Sequence, residues 1–416
     1  MRKLLSFVLA AVLLSQHAAY SDAFSQDAGE AQAADLDPAL LDLPRSENGK
    51  QKVAQLKGKY AESLDVSSRN WVVITSVNPP TRQVQRICDI KGWNKVIVAD
   101  KKTPTDWSAP GCVFLSIDDQ TALEYKTHSL IPYNRYERKM LGYLFAIEMG
   151  ADTILDTDDD NIPAASIPFV LDTNVAGKVC ADVVNRTTIA WNAYRHFGVP
   201  HLHNRGLPLR HVRPGQALEY EAPQLVRPLI QQGVVHCDPD LDAIQRLTMS
   251  PSHTSDIAFE HNTLLAFPPK SYHPINSQNT VFLKDAFWAL MLPVSTLWRE
   301  DDIFRGYWSQ RLLWEIGGSL LITGPTAYQL RNPHDFFLDY KMETNMYARA
   351  EDMLLELNSW SCSLREGIDG CITTLIAHLQ TKGFISKIDV SLAHLWVADL
   401  KSIGYTFPAR TSPEFG

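Results

Sequence analysis

The chain has 416 residues, of which 45% are hydrophobic and 21% charged, a composition typical of globular proteins that excludes disorder over most of the length. It contains 39 Lys and Arg against 47 Asp and Glu, for a formal net charge of −8. Proteins that grip nucleic-acid backbones usually carry a basic surplus, so nucleic acid is not expected as a partner.

The N-terminus has the pattern of a secretory targeting segment. Arg2 and Lys3 precede an apolar run over residues 4–14, and small residues follow that run, which is the layout of a signal peptide. Two outcomes stay open for residues 1–23: cleavage as a signal peptide, or retention as a short signal anchor in a membrane. Either outcome predicts that the rest of the chain faces the secretory lumen or the exterior.

Residues 24–68 are rich in Ala, Asp, Gln, Ser and Lys and show little apolar periodicity, which predicts a flexible stem. All six cysteines lie beyond it. In a secreted chain they permit disulfides, and Cys362 and Cys371, the closest pair in sequence, are the best local candidates. One N-glycosylation sequon is present at Asn185-Arg186-Thr187, and a modified or an unmodified Asn185 both stay open.

Apolar strands alternate with helical segments between residues 70 and 155. Strands are predicted at residues 70–75, 95–100, 112–116 and 153–155, and helices at residues 84–90 and 136–149. This alternation predicts an α/β fold with a mostly parallel central sheet and helices on both faces. Later in the chain, residues 303–316 have the spacing of an amphipathic helix, and the acidic residues before them suit a helix N-terminus.

Polar side chains follow three of the predicted strands. Thr75 and Asn78 follow the first strand, Asp100 ends the second, and the segment Asp156-Thr157-Asp158-Asp159-Asp160 follows the fourth. Ligands on parallel sheets bind at the carboxyl ends of the strands. We therefore expect these residues to converge on one binding site.

The acidic segment carries four carboxylates in five positions. They would repel one another unless a cation neutralised them, and carboxylate oxygens suit Mg²⁺ or Mn²⁺, which take further ligands from substrate phosphates. The residues thus predict a metal-bridged phosphate ligand, with a solvated acidic loop as the alternative. Arg138 and Lys139, on the helix before the segment, would supply cations for a diphosphate.

Two other interpretations of the acidic segment can be tested by spacing. An EF-hand loop beginning at Asp156 would need Gly at its sixth position and Glu at its twelfth, where this chain has Asn161 and Ile167. A phosphatase of the haloacid-dehalogenase type also places D-x-D after an apolar strand. Asp159 and Asp160 stand where that type has Gly and Thr or Val, so the phosphatase stays a minor alternative.

Five long blocks of the chain closely resemble the STELLO glycosyltransferase family. In order they read WVVITSVNPPT, VIVADKKTPTDW, GCVFLS, IPYNRYERKMLGYLFAIEMGADTILDTDDDN and DIFRGYWSQRLLWEIGG. The resemblance covers roughly residues 69–320. It implies a GT-A-like nucleotide-diphospho-sugar transferase fold, distantly related to the reversibly glycosylated polypeptides. Residues 69–250 would form the nucleotide-sugar-binding half, and residues 251–410 an acceptor-side extension with the late acidic-capped helix.

The resemblance also implies roles for individual residues. Asp158 and Asp160 would hold Mn²⁺ or Mg²⁺ against the donor's diphosphate, with Asp156 as a ligand instead if the register lies two residues earlier. The residues implied to bind the nucleotide sugar are Thr75, Asn78, Asp100, Arg138, Lys139 and Asp159.

Asp302, at the start of the late helix, matches an acidic position of the family. The resemblance implies that it is the general base that deprotonates the acceptor hydroxyl. A helix N-cap is the alternative role for Asp302. Its neighbours Asp301 and Glu300 could take the part of the base.

The sequence therefore predicts a glycosyltransferase that moves a sugar from a nucleotide-sugar donor, expected to be UDP-linked, to a glycan or glycoprotein acceptor with Mn²⁺ or Mg²⁺ assistance. It would lie in the Golgi lumen if the N-terminus anchors it, and be secreted if the signal is cleaved. One alternative is a non-catalytic scaffold partner of a glycan-synthesis complex. The other is a metal-dependent phosphatase that relies on Asp156.

Overall fold

The computed structural model describes residues 37–164, 169, 178–212, 218–332 and 334–411. The chain divides into two units, Met1–Pro38 and Ala39–Gly416, and the elements below belong to the second. The predicted signal peptide or anchor at residues 1–23 lies outside the described residues. Within the described ranges, no helix has the length and apolar character needed to cross a membrane.

One mixed sheet forms the centre of the second unit. Its strands are β1 Asn70–Thr75, β2 Asn94–Val98, β3 Val113–Leu115, β4 Thr153–Thr157, β5 Asn161–Pro163, β6 Val179–Val184, β7 Tyr220–Val226, β8 Pro228–Cys237, β9 Leu265–Phe267, β10 Asn279–Leu283 and β11 Ser319–Gln329. They lie in the order β3-β2-β1-β4-β10-β8-β11-β9-β6-β7, and β5 pairs with β11. Strands that precede residue 250 in the sequence and strands that follow it thus lie side by side in one sheet.

The first four strands in this order are parallel. β1 pairs in parallel with β2 and β4, and β2 pairs in parallel with β3. β10 runs antiparallel between β4 and β8, while β11 is parallel to β8 and antiparallel to β9. Because β2, β1 and β4 are parallel neighbours, their carboxyl ends open at one edge of the sheet. The predicted α/β fold class is confirmed.

Helices follow and flank these strands. The α-helices are α1 Glu47–Lys59, α2 Arg82–Cys88, α3 Ile117–Ala122, α4 Lys139–Glu148, α5 Ala243–Thr248, α6 Asp301–Leu313, α7 Phe336–Met342, α8 Thr344–Ser359, α9 Ile368–Thr381 and α10 Lys387–Ser402. The helix predicted at residues 136–149 is α4 preceded by a 3₁₀ turn, Tyr136–Arg138, and the helix predicted at 303–316 is α6 followed by a 3₁₀ turn, Trp314–Ile316.

Close packing of α4 on the parallel strands positions the acidic segment. A Cβ atom at Gly142 would lie 2.6 Å from Val98 Cγ2 and 2.8 Å from Val73 Cγ1, so only glycine permits this approach of helix to sheet. The close approach brings Lys139, the first residue of α4, to the carboxyl end of β4, where it contacts Asp158.

The prediction of a flexible stem over residues 24–68 is wrong for its described C-terminal part. Residues 47–59 form α1, and the Ser46 side chain caps this helix by accepting a hydrogen bond from the Gly49 N–H. Leu56 is only 2% exposed in the main core. Arg45 Nη2 lies 3.2 Å from Glu148 Oε2. Leu56 is the one large apolar side chain of α1 that is fully buried. A single buried position cannot produce a periodic apolar pattern, so the sequence shows almost no helix signal in this segment.

Two disulfides are formed in the described part of the chain. The predicted pair Cys362–Cys371 is confirmed, and a second disulfide joins Cys88, the last residue of α2, to Cys112, which directly precedes β3. Cys180 and Cys237 are free thiols. Both disulfides suit an oxidising compartment.

Candidate active site

A cleft of about 340 Å³ lies at the carboxyl ends of β1, β2 and β4. Its other wall comes from the N-terminus of α6, the segment after β11 and the side chains of Arg205 and Asp240. The predicted site residues that line the cleft are Thr75, Asn78, Asp100, Asp158, Asp159, Asp160 and Asp302. The structure thus brings together residues that are more than 200 positions apart in the sequence.

Asp156 is not part of this cleft. Its side chain is fully buried, with Oδ1 3.0 Å from Lys139 Nζ and Oδ2 3.0 Å from Arg305 Nη2. Two buried cations therefore neutralise it already. The earlier register, with Asp156 as a metal ligand, is not supported by the structure, and neither is a phosphatase that needs Asp156 open to a phosphate ester.

Asp158 is the residue where the acidic segment reaches the cleft. Its Oδ1 lies 2.9 Å from Lys139 Nζ, and its side chain stays 40% exposed. Burial within the cleft, opposed by Lys139 but reinforced by the charge of Asp160, raises the pKa of Asp158 to about 7. Lys139 therefore does not fully offset the cost of charging Asp158 beside Asp160.

The next two aspartates are held by neighbouring loops. Asp159 Oδ2 accepts a hydrogen bond of 2.7 Å from the Ser76 hydroxyl and one of 3.4 Å from Asn78 Nδ2, so it ties the loop after β4 to the loop after β1. Asp160 accepts from Gln329 Nε2 at 3.0 and 3.1 Å, which ties the same loop to the end of β11. Both contacts order the rim of the cleft.

A divalent cation fits the residues present. Burial and the charge of Asp160 together raise the pKa of Asp158, so a shared cation would relieve their repulsion. Among the described residues, one group of three His, Cys, Asp or Glu side chains has its ligand atoms within 4.8 Å of one another, namely Cys362, Glu366 and Cys371. This group lies outside the cleft, and its two cysteines are joined in a disulfide. The cleft thus offers two carboxylates and open positions. Mg²⁺ and Mn²⁺ suit such a site because they retain water and bind phosphate oxygens.

The side of the cleft predicted for the nucleotide is built from strand ends. Asp100 follows β2, and its two oxygens accept from the backbone N–H groups of Lys101 at 2.7 Å and Arg135 at 3.1 Å. The Asn78 carbonyl accepts a 3.0 Å hydrogen bond from Trp107 Nε1. Thr75 is the last residue of β1. These hydrogen bonds fix the Asp100 side chain and the backbone at Asn78 in the predicted nucleotide site.

The prediction that Arg138 faces the phosphates is wrong. Arg138 is fully buried, donates to Gln120 Oε1 and to the Ile131 carbonyl, and lies 4.4 Å from the centre of the Tyr133 ring. Lys139 reaches the acidic segment, but it too is fully buried. Lys139 therefore acts on the site through charge and is not a surface contact for a ligand.

Asp302 is the one of the three late acids that lines the cleft within the described residues. Its carboxylate forms a two-point pair with Arg205 and accepts from the Ser277 N–H at 3.2 Å. Asp301 is fully buried against the Tyr136 hydroxyl, and burial raises its pKa well above the usual range. Glu300 turns away and accepts from the Met346 N–H at 3.0 Å.

Several cleft residues have no signal in the sequence analysis. They are Arg135, Arg205, Arg299, Arg331 and His334. Their segments follow no recognisable motif, and only long-range folding brings them to the strand ends.

His334 is the most informative of these residues. Its Nδ1 lies 3.1 Å from Asp339 Oδ2, which favours the tautomer with the proton on Nδ1. Its Nε2 has no hydrogen-bond partner in the part of the chain that the structure describes. Asp339 therefore orients the His334 ring in the wall of the cleft.

Comparison with known proteins bears on this geometry. Residues 299–415, which include Asp302 and His334, match a family model described as STELLO glycosyltransferases. Two curated proteins of Arabidopsis thaliana, "Probable glycosyltransferase STELLO2" and "Probable glycosyltransferase STELLO1", are each 31% identical to the chain over 389 and 388 residues. These matches cover 90% of this chain. The chain thus matches the STELLO glycosyltransferase family model over residues 299–415 and is similar to STELLO proteins along most of its length.

The STELLO match confirms the family that the sequence blocks indicate. The chain spans about half the length of the two curated STELLO relatives, 50% in each case. The mixed α/β sheet of the chain is consistent with a GT-A-like fold. Its cleft at the strand ends lies where such folds bind their ligands.

Proposed function

We propose that the protein is a glycosyltransferase that moves a sugar from a nucleotide-sugar donor to a glycan or glycoprotein acceptor. The observation that carries the proposal is that Asp158 and Asp160, at the end of β4, share one cleft with Asp302, at the start of α6. The names of the STELLO relatives support the reaction class. We further propose that the donor is UDP-linked and that Mn²⁺ or Mg²⁺ assists the transfer to the acceptor.

The strand ends would bind the donor. Thr75, Asn78 and Asp100 would contact the nucleoside, and Asp158 and Asp160 would hold Mn²⁺ or Mg²⁺. When bound, the cation would supply Lewis-acid stabilisation of the departing nucleoside diphosphate.

Asp302 would act on the acceptor. It would accept the proton of the acceptor hydroxyl as that oxygen bonds to the anomeric carbon. The bond from this carbon to the diphosphate oxygen breaks, and its electron pair leaves with the nucleoside diphosphate. Arg205, which donates to both oxygens of Asp302, would fix the direction in which the carboxylate receives the proton.

Calorimetric titration with a panel of nucleotide sugars, in Mn²⁺ and in EDTA, tests the donor site. We expect binding of a UDP-sugar in Mn²⁺ only, weakened at least about tenfold by Asp158→Asn or Asp160→Asn, since charge-assisted contacts are lost. Asp152→Asn is the matched control, because this carboxylate is 42% exposed and pairs with Arg69 and Lys284. Absence of metal-dependent binding by every nucleotide and nucleotide sugar would refute the proposal.

One observation favours a non-catalytic scaffold as the second candidate. Both oxygens of Asp302 are engaged by Arg205, so the carboxylate has a structural role without any acceptor. Asp302→Asn separates the two functions when transfer and donor binding are both measured. An enzyme loses transfer and keeps donor binding, whereas a scaffold shows no transfer even in the unaltered protein.

The cellular setting is a separate part of the proposal. We propose a lumenal location in the secretory pathway, which the two disulfides support because they persist in oxidising compartments. Glycans and glycoproteins, the proposed acceptors, would meet the enzyme there. Expression with a C-terminal epitope and protease protection of microsomes would test the location. An epitope exposed to the cytosol would contradict it.

A further inference from the structure

A second cavity, of about 260 Å³, is formed by residues 187–192 together with Arg195 and His211. It shares no lining residue with the cleft at the strand ends. Its volume lies just below the ~300–1,000 Å³ of sites for drug-sized ligands. The cavity therefore suits a ligand of monosaccharide size or smaller.

Arg195 is a partly buried cation in the wall of this cavity, with no ion-pair partner among the described residues. Its Nε atom is buried without a hydrogen-bond partner, and no carboxylate of the described residues forms an ion pair with it. Burial lowers the pKa of the Arg195 guanidinium, with no opposing contribution from an acid. Desolvating a cation without a partner costs free energy, which an anion in the cavity would recover.

The buried arginines of the cleft behave differently. Arg205 pairs with Asp240 and Asp302, and Arg299 pairs with Glu343. The fully buried Arg138 has no carboxylate partner among the described residues, but it donates to Gln120 Oε1 and to the Ile131 carbonyl. Arg195 has neither an ion pair among the described residues nor an acceptor for its Nε, at the place where a cavity opens.

The rest of the cavity wall is polar and already fixed. Thr188 Oγ1 lies 2.8 Å from His211 Nδ1, and Asn192 Nδ2 donates to the Leu202 carbonyl at 2.7 Å. The Asn192 side chain also accepts from the Tyr194 N–H at 3.2 Å, which caps the 3₁₀ turn that carries Arg195. None of the lining residues is an acid. The nearest carboxylate to these lining residues is that of Glu351, which lies 3.5 Å from His211 Nε2 and is paired there, so the guanidinium of Arg195 is the group that the wall offers to an anion.

We infer that this cavity binds a small oxyanion, namely a carboxylate, sulfate or phosphate group on a ligand of monosaccharide size or less. The forked guanidinium of Arg195 matches the geometry of these groups and donates to them by charge-assisted hydrogen bonds. The inference does not depend on the proposed function, because the cavity and the cleft are built from different residues.

Thermal denaturation of the full chain tests the site. Sodium chloride is replaced by sodium glucuronate, sulfate or phosphate at constant ionic strength, and Arg195→Gln is compared with the unaltered protein. Arg186→Gln is the matched control, since Arg186 is 50% exposed, contacts Glu221 and does not line the cavity. Sulfate and phosphate also stabilise proteins non-specifically, so the decisive quantity is the difference in Tm shift between variants.

We expect at least one oxyanion to raise the Tm of the unaltered protein and of Arg186→Gln, and to raise that of Arg195→Gln by much less. Calorimetric titration with the same anion should show binding at least about tenfold weaker in Arg195→Gln. Without oxyanion, Arg195→Gln should be as stable as the unaltered protein, because no partner is lost. Equal Tm shifts in all three proteins for every anion would overturn the inference, whatever their baseline stability. Which anion gives the largest shift identifies the ligand group.

Discussion

Arg205 and Asp302 form a two-point ion pair, with Nη1 3.1 Å from Oδ1 and Nη2 2.9 Å from Oδ2. The same Arg205 Nη2 lies 2.8 Å from Asp240 Oδ2. One buried cation therefore pairs with two buried carboxylates on the acceptor side of the cleft. The proposed base is held in place by a residue 97 positions away in the sequence.

Arg205→Gln should destabilise the protein strongly. It leaves Asp302 buried without its cation and, among the described residues, Asp240 with only the more distant Arg331, 3.9 Å away, and breaking a buried ion pair from one side costs about 3–5 kcal/mol of unfolding free energy. Urea denaturation measures the change. Arg210→Gln, which removes an 84% exposed arginine paired with Glu351, should change the unfolding free energy by less than about 1 kcal/mol. Equal effects of the two substitutions would contradict the structural role of Arg205.

Lys139→Met should make stability depend on a divalent cation. Asp156 keeps Arg305, but Asp158 loses its only ion pair among the described residues, so we expect a loss of about 3 kcal/mol in metal-free buffer. Mn²⁺ should raise the Tm of Lys139→Met more than that of the unaltered protein, because it supplies the missing positive charge. A variant that Mn²⁺ stabilises no more than the unaltered protein would show that the ion does not bind beside Asp158.

His273 should make the protein less stable in acid. It is fully buried, with Nδ1 2.9 Å from the Trp191 carbonyl, and burial lowers its pKa from 6.5 to about 4. The unfolded chain therefore binds more protons than the folded chain between these two pH values, so this contribution to stability is complete above about pH 6.5 and falls as the pH drops toward 4.

His273→Gln removes that titration. The difference in unfolding free energy between the unaltered protein and His273→Gln should change by about 3 kcal/mol between pH 7.5 and pH 4. Urea denaturation at several pH values measures it. His253→Gln, at an exposed turn residue, is the control for replacing a surface histidine. A constant difference for His273→Gln would mean that His273 is solvated in the folded state.

The two disulfides should differ in their contribution to stability. Cys88–Cys112 closes a loop with a sequence separation of 24, and Cys362–Cys371 one of 9. Loop-closure entropy gives about 3.5 kcal/mol for the longer loop and about 2.5 kcal/mol for the shorter one. Replacing each pair by alanines should therefore lower the Tm, more for the first pair. Cys180→Ala, at an exposed free thiol, is the control, and the reverse ranking would contradict the entropic account.

The donor side of the cleft could be predicted from the sequence because its signals are local. An apolar strand followed by Asp158 and Asp160 places those carboxylates at a strand end whatever the remaining fold does. Arg138 shows the limit of such reasoning. It precedes the same segment, but its side chain is held away from the cleft by contacts with Gln120 and Tyr133. No sequence pattern indicates these contacts.

The acceptor side could not be predicted in the same way. Arg205, Arg331 and His334 come from loops and strand ends whose neighbours are set by the mixed half of the sheet. The strands β8 and β11 lie at the centre of that half, but their apolar runs are interrupted by Gln231 and Gln232 in β8 and by Gly324 and Pro325 in β11. Such interruptions hide a buried strand from pattern analysis.

The pairing of Arg45 with Glu148 decides where the autonomously folding part of this chain begins. Glu148 also accepts a 2.7 Å hydrogen bond from the Tyr125 hydroxyl, so removing residues before 69 would strip a buried carboxylate of its cation and uncover the groove that Leu56 fills. A protease should therefore trim the native protein only to the vicinity of Arg45. Soluble fragments for crystallisation should start upstream of that arginine, well before the first strand of the sheet.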